Sequence, residues 1–198
     1  MATTKVTIWN MAVGIMGGNA DGLILSADET GSVADHCREF WEEAVDTSLI
    51  YMQPIEATAY VDISESSDTP EAADWEYVYD LPADFLAMVH YTDETDRSVR
   101  YEYEIVGDYI YSNEDSCYIK YIQKMDYDTV SDMSIQLRRL CAANLAVMIA
   151  PFFKPQMLNA AYANLERTKI MALEENNDHI YEDTTESAYG IESSADIT

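Results

Sequence analysis

The sequence predicts an α+β fold: an antiparallel helix bundle with an inserted small antiparallel β-sheet and an extended C-terminal arm. Three observations predict it. Apolar residues recur at helical spacing through 33–53, 131–153 and 155–173. Between 55 and 125 the period falls to two, in segments rich in tyrosine and β-branched residues. Residues 174–198 hold eight acids and no Lys or Arg, the composition of a segment that cannot bury enough apolar surface to fold alone. The bundle is therefore placed at 1–54 and 128–175, the β insertion at 55–127 and the acidic arm at 176–198.

A first short helix is expected over 4–16, where Ile8, Met11, Ala12 and Ile15 share a face and Gly17 and Gly18 can close the C-terminus. The glycines between 17 and 31 match neither a dinucleotide fingerprint nor a P-loop, so this stretch is expected to be a loop. Ser32-Val33-Ala34-Asp35 has the form of a capping box, with Asp in place of Glu. The helix it opens places Val33, Cys37, Phe40, Trp41, Ala44, Ser48, Leu49 and Met52 on one side, and Pro54 stops it.

Ala57–Ile63 is expected to be a strand, and 63–74 a polar loop. Trp75, Tyr77, Tyr79 and Leu81 then alternate with Glu76, Val78 and Asp80. Residues 85–91 continue as strand or tight bend. Val99, Tyr101, Tyr103 and Ile105 alternate with Arg100, Glu102 and Glu104, and Gly107-Asp108 turns the chain into Tyr109-Ile110-Tyr111. Cys117–Gln123 supplies one more strand. Strand alternation assigns the aromatic residues to a face packed on helices or on an adjacent subunit, and the carboxylates to the wet face.

The organising helix is 131–153, with Ser131 as its cap. Met133, Leu137, Leu140, Cys141, Leu145, Met148, Ile149 and Phe152 form one wide apolar stripe. Pro155 can open the next helix, whose narrower stripe is Leu158, Ala161, Tyr162, Leu165 and Ala172, making an antiparallel hairpin. The arm has apolar beads at Ile180, Tyr181, Tyr189, Ile191 and Ile197, which a purely solvating tail does not need. They mark it as a segment that is mobile in the free subunit and orders on a partner.

Composition excludes several classes. Three widely spaced cysteines without a CxxC support neither a disulfide framework nor a zinc site, and are expected to be reduced and buried. His36, His90 and His179 are isolated, with no metal-ligand spacing. No apolar run is long enough to span a membrane, and no signal peptide is indicated, so a cytosolic or virion setting is expected. A net charge of −26, from 37 acids against 11 basic residues, is the reverse of a DNA reader's footprint. No GxSxG elbow, P-loop or HExxH occurs, and with this many acids chance carboxylate pairs of the glycosidase kind carry no information.

The order of parts resembles the tail tubular protein A family of short-tailed bacteriophages, the head-to-tail adaptor below the portal. IWNMAVGIMGG is similar to the family's opening helix with its glycine stop, and CREFWEEAVDTSLIYMQPIEATAYVDI to the next helix running into the first strand. DWEYVYDLPADFLAMVHY carries an aromatic strand, Leu-Pro-Ala-Asp and an apolar run; RYEYEIVGDYIYSNEDSCYIKYI follows as hairpin and strand, and LRRLCAANLAVMIAPF as the long apolar helix. The likeness covers roughly 5–173; the strongly acidic balance and long acidic arm depart from the pattern.

The resemblance implies a structural protein of the virion, made in the host cytoplasm, with no enzymatic activity, cofactor, metal or membrane association. It implies a ring of about twelve copies that binds the portal protein above and a tail or nozzle protein below. Double-stranded DNA would pass through without specific binding. Ile180, Tyr181, Tyr189, Ile191 and Ile197 become the candidate contacts to portal or neighbouring subunit, and Glu102 and Glu104 the candidate channel-facing acids. The charge supports such a conduit independently: twelve copies at −26 carry roughly −300, and acidic walls hold phosphates off. The alternative is an acidic DNA mimic that occupies a nucleic-acid-binding protein. The 58 residues between Arg38 and Arg97, with 16 acids and no Lys or Arg, keep that alternative open.

Overall fold

The computed structural model describes residues 4–18, 23–66 and 74–189, with side chains up to Glu174. The element order is α1 (Lys5–Ile15), α2 (Ser32–Met52), β1 (Thr58–Ile63), β2 (Tyr77–Asp80), β3 (Phe85–Thr92), β4 (Glu104–Val106), β5 (Tyr109–Ser112), β6 (Cys117–Gln123), α3 (Ile135–Phe153) and α4 (Leu158–Tyr189). The fold is mixed α+β. The chain divides into a helical unit, Met1–Ser48 with Tyr127–Thr198, and a β unit, Leu49–Asp126. The first division falls inside the last turns of α2.

In the helical unit, α1 ends as its glycines dictate. The Gly18 N–H donates to Val13 O and the Gly17 N–H to Gly14 O, both at 2.9 Å, with Gly17 at φ +69°. That is a Schellman closure, which needs a residue free to enter the left-handed region. At α2 the reach-back from Asp35 falls one residue earlier than the motif suggests. Its carboxylate accepts from the Gly31 N–H at 3.4 Å, and Ser32 is already helical.

Helix α3 differs from its expected form in two ways. It begins at Ile135, because Ser134 rather than Ser131 accepts from the Leu137 N–H at 3.2 Å, and Val130–Asp132 forms a separate 3-10 turn. It is also buried nearly all round rather than along one stripe. Every residue from Leu140 to Ala146 is buried, whereas Phe152 is 55% exposed. Ala142, Ala143 and Ala146 allow this, since small side chains let α1 and α4 pack onto further faces of α3. On the remaining side Asn144 Nδ2 donates to Ser48 Oγ of α2 at 2.8 Å, and Ser48 Oγ donates to Ala44 O at 2.6 Å. These buried polar groups are therefore satisfied.

Trp9 of α1 meets Trp41 of α2 edge to face, with ring centroids 6.4 Å apart. The Trp41 Nε1–H donates to Tyr127 O at 2.8 Å. Pro155 opens a 3-10 turn that leads into α4, where Ala161, Leu165 and Ala172 are buried and Tyr162 is half exposed. The helical backbone of α4 continues to Tyr189, past the Leu173 limit that composition sets.

The β unit holds two three-stranded antiparallel sheets where one was expected. Their orders are β1-β6-β3 and β2-β5-β4. Alternation along a strand fixes which residues share a face but not which strand lies alongside, so the split was not legible. Tyr79, Tyr91, Ile110, Cys117, Ile119 and Tyr121, drawn from both sheets, form one buried cluster. Strand β3 reaches it through two irregularities in its pairing with β6, between Phe85 and Ala87 and between Met88 and His90. Phe85, Met88 and Tyr91 all pack on the cluster despite three-residue spacing. This is why 85–91 reads ambiguously from sequence. The strand expected over 99–105 is also shorter. Only Glu104–Val106 pairs, and Tyr103 and Ile105 stay about one-third exposed, Tyr103 touching the cluster only edge-on at Tyr91, 6.2 Å away.

Cys37, Cys117 and Cys141 are free and buried, as expected. Burial pushes all three thiols up to about 12. At pH 8 the native protein is expected to show no reaction with a disulfide-exchange reagent, and all three thiols on denaturation. Rapid labelling of any thiol before unfolding would contradict this packing.

Candidate functional site

The β1-β6-β3 sheet turns Ala59, Val61, Ile63, Cys117, Ile119 and Tyr121 toward the buried cluster. Alternation then puts Tyr60 and Asp62 of β1, and Tyr118 and Lys120 of β6, on the opposite face. The register aligns them across the sheet. Tyr60 pairs Lys120, which pairs His90 of β3, so one rung carries Tyr, Lys and His; the next carries Asp62, Tyr118 and Thr92.

Arg97 covers this face from the loop after β3. Its guanidinium lies 4.6 Å from the Tyr60 ring centroid and 5.8 Å from that of Tyr118, and donates to the Tyr118 hydroxyl at 3.3 Å. Lys120 Nζ is 5.4 Å from the same Tyr60 ring. Tyr60 and Tyr118 stack with centroids 6.1 Å apart, and His90 meets Tyr60 at 6.4 Å. Both cations are thus held by the negative faces of tyrosines. Among the described residues no carboxylate forms an ion pair with Arg97, Arg100 or Lys120. In a chain with 37 acids that is unexpected. Burial, with the charges of Arg100 and Lys120, pushes the His90 imidazole down, so it stays neutral at neutral pH.

The loop that carries Arg97 is built from short polar side chains. Asp93 Oδ1 accepts from the Thr95 N–H at 2.7 Å, the Thr95 hydroxyl at 2.5 Å and the Asp96 N–H at 3.0 Å. Asp96 Oδ1 accepts from the Ser98 N–H at 3.0 Å and its hydroxyl at 2.6 Å. The Thr95 hydroxyl and these backbone donors hold the Asp93 carboxyl down at about 2. A carboxyl depressed on folding supports the loop above the ordinary aspartate range, and that support is lost as pH falls through about 2.

No protein-family model matches this chain, and no curated protein matches it. The site therefore stands on geometry alone. An exposed face with guanidinium, ammonium and aromatic rings can bind an anion carried on an apolar or aromatic body. Among the described residues no group of three or more His, Cys, Asp or Glu is placed to hold a metal ion. No helix among them is long and apolar enough to cross a membrane.

The acids singled out from sequence lie on the other sheet. Glu104 is in β4, the edge strand beside β5, and is exposed; its Oε2 accepts from Trp75 Nε1 at 3.0 Å. Glu102 precedes β4 and is exposed too. Ile180, Tyr181 and Tyr189 fall on the α4 backbone; their side chains, and all of Ile191 and Ile197, lie outside the described residues. The cationic face was missed in the sequence because Arg97 reaches it from a loop. A signal did exist: Tyr118 and Lys120 share strand parity in CYIKYIQ, and Arg97 ends the long cation-free stretch. A smaller cationic spot lies in the helical unit, where Arg139 and Arg167 line an open groove of about 710 Å³ with Met11, Ile15 and Met171.

Proposed function

We propose that this chain is a structural virion protein, a head-to-tail adaptor of the tail tubular protein A kind. In this role about twelve copies form a ring that docks under the portal protein, meets a tail or nozzle protein below, and extends the DNA channel. The observation that carries the proposal is how the resembling segments fall on elements. IWNMAVGIMGG covers most of α1 with its glycine closure, and the Cys37–Ile63 segment runs α2 into β1. The Asp74–Tyr91 segment supplies β2 and nearly all of β3, the Arg100–Ile122 segment β4, β5 and most of β6, and the Leu137–Phe152 segment the body of α3. A helical unit split by a β insertion is the architecture that order implies.

Charge supports the same role. At −26 per copy, a channel of this protein repels phosphates and lets DNA slide without a binding penalty at each base pair. In this role the chain is no enzyme and acts within the tail of the virion. A reconstitution tests the proposal. DNA-filled heads bearing a portal but lacking this protein are expected to leak their genome, and adding the purified chain to restore nuclease resistance. Heads that remain as leaky with the protein as without it would count against the adaptor role. Tight binding of the free chain to a DNA-binding enzyme, with loss of that enzyme's activity, would favour the DNA mimic.

A further inference from the structure

We propose that the cationic tyrosine face of the β1-β6-β3 sheet is the receptor for residues 174–198, the acidic arm with the two glutamates that precede it, of a second copy of this chain. It rests on the reading that copies assemble side by side, and adds where one copy grips the next.

Three observations converge. The first is unmet charge: Arg97 and Lys120 converge on one ring, 4.6 and 5.4 Å from the Tyr60 centroid, with no carboxylate ion pair among the described residues. Tyr60 itself is 41% exposed. The second is readiness. The Asp93 and Asp96 turns hold the Arg97 loop before any ligand arrives, so little conformational freedom is lost on binding.

The third is complementarity. The arm has eight acids, no Lys or Arg, and the apolar beads Ile180, Tyr181, Tyr189, Ile191 and Ile197. Glu175, Asp178, Glu182 and Glu186 recur three and four residues apart along a segment whose backbone is helical to Tyr189. Residues at that spacing share one face of a helix. Such a set suits two cations gathered on one ring, while the beads supply contact for Tyr60 and Tyr118. A contact in which the arm of one copy meets the sheet of the next is heterologous, the kind of interface that closes into rings. Like-charged bodies at −26 each need such a local attraction to sit together.

The test is a fluorescein-labelled synthetic peptide of residues 174–198, titrated into the full-length protein and followed by anisotropy at about 50 mM salt. Saturable binding is expected, weakened about tenfold or more by Arg97→Glu with Lys120→Glu and weakened again by added salt. Arg97→Gln and Lys120→Gln, assayed singly, give the same direction if the double reversal does not fold. No binding to the wild type, or equal binding to the variants, would overturn the proposal. So would a loss confined to Arg139→Glu with Arg167→Glu, which would move the receptor to the helical groove. A labelled single-stranded oligonucleotide that binds more tightly than the peptide, and is lost in the same variants, would make the face a nucleic-acid surface instead. Native mass on the same preparation, with and without portal, separates the two claims. A ring that forms while the peptide fails removes only the receptor; peptide binding by a chain that never assembles keeps the receptor and removes the ring.

Discussion

Leu140→Ala is expected to lower the unfolding free energy by about 2–5 kcal/mol. Leu140 is fully buried in the stretch of α3 where every side chain from 140 to 146 is covered. Ala143, one turn on, has no rotamer with which to fill a void. Phe152→Ala on the same helix is the control. Phe152 is 55% exposed, though it stacks on Phe40 at 5.6 Å and on His36 at 4.4 Å, so its loss should be clearly the smaller. Denaturant midpoints at unchanged slope measure both. A loss well under 1 kcal/mol for Leu140→Ala would mean that α3 is not the core of the helical unit.

The second large effect is functional. Glu102→Lys with Glu104→Lys changes each copy from −26 to −22 and, in a ring, places cations at every repeat. Folding should survive, since both side chains are exposed and such charges contribute little to stability. The one identified loss is the hydrogen bond from Trp75 to Glu104, about 0.5–1.5 kcal/mol. Glu104→Gln retains an acceptor for Trp75 and separates that loss from charge. If these residues face the channel, genome ejection through the reversed protein becomes salt-sensitive, slow at low salt and faster as salt displaces the new phosphate contacts. Ejection kinetics that match wild type across low and moderate salt would remove Glu102 and Glu104 from the channel wall.

How much of this was legible in the sequence follows from the range of each interaction. Local signals read correctly: the Gly17-Gly18 closure, the hairpin turn at Gly107-Asp108, Pro155 opening a helix, and the period-two runs of β1 and β6. Three features depended on partners far along the chain. Helix α3 looks one-sided by periodicity, but its alanines permit burial all round once α1 and α4 arrive. The residues of 85–91 break strict alternation because irregular pairing with β6 re-aims them. Residues 99–103 alternate like a strand yet build no ladder; a single backbone bond, from the Tyr101 N–H to Tyr91 O at 3.2 Å, ties them to β3. The cationic face is the same kind of case. Tyr60, His90, Arg97 and Tyr118 come from three strands and a loop, and only their register brings them together. The acids Glu102 and Glu104 were legible as wet from charge alone; strand parity did not help, because Tyr103 and Ile105, which alternate with them, are exposed as well.

The central claim is that copies of this chain form a ring on a portal. Electron microscopy of the purified protein mixed with isolated portal assemblies tests it most directly, through the rotational symmetry of particle averages. The account predicts an added ring of about twelve subunits coaxial with the portal, enclosing a channel wide enough for duplex DNA. Bare portals, with this chain left in solution as a monomer or dimer, would contradict it.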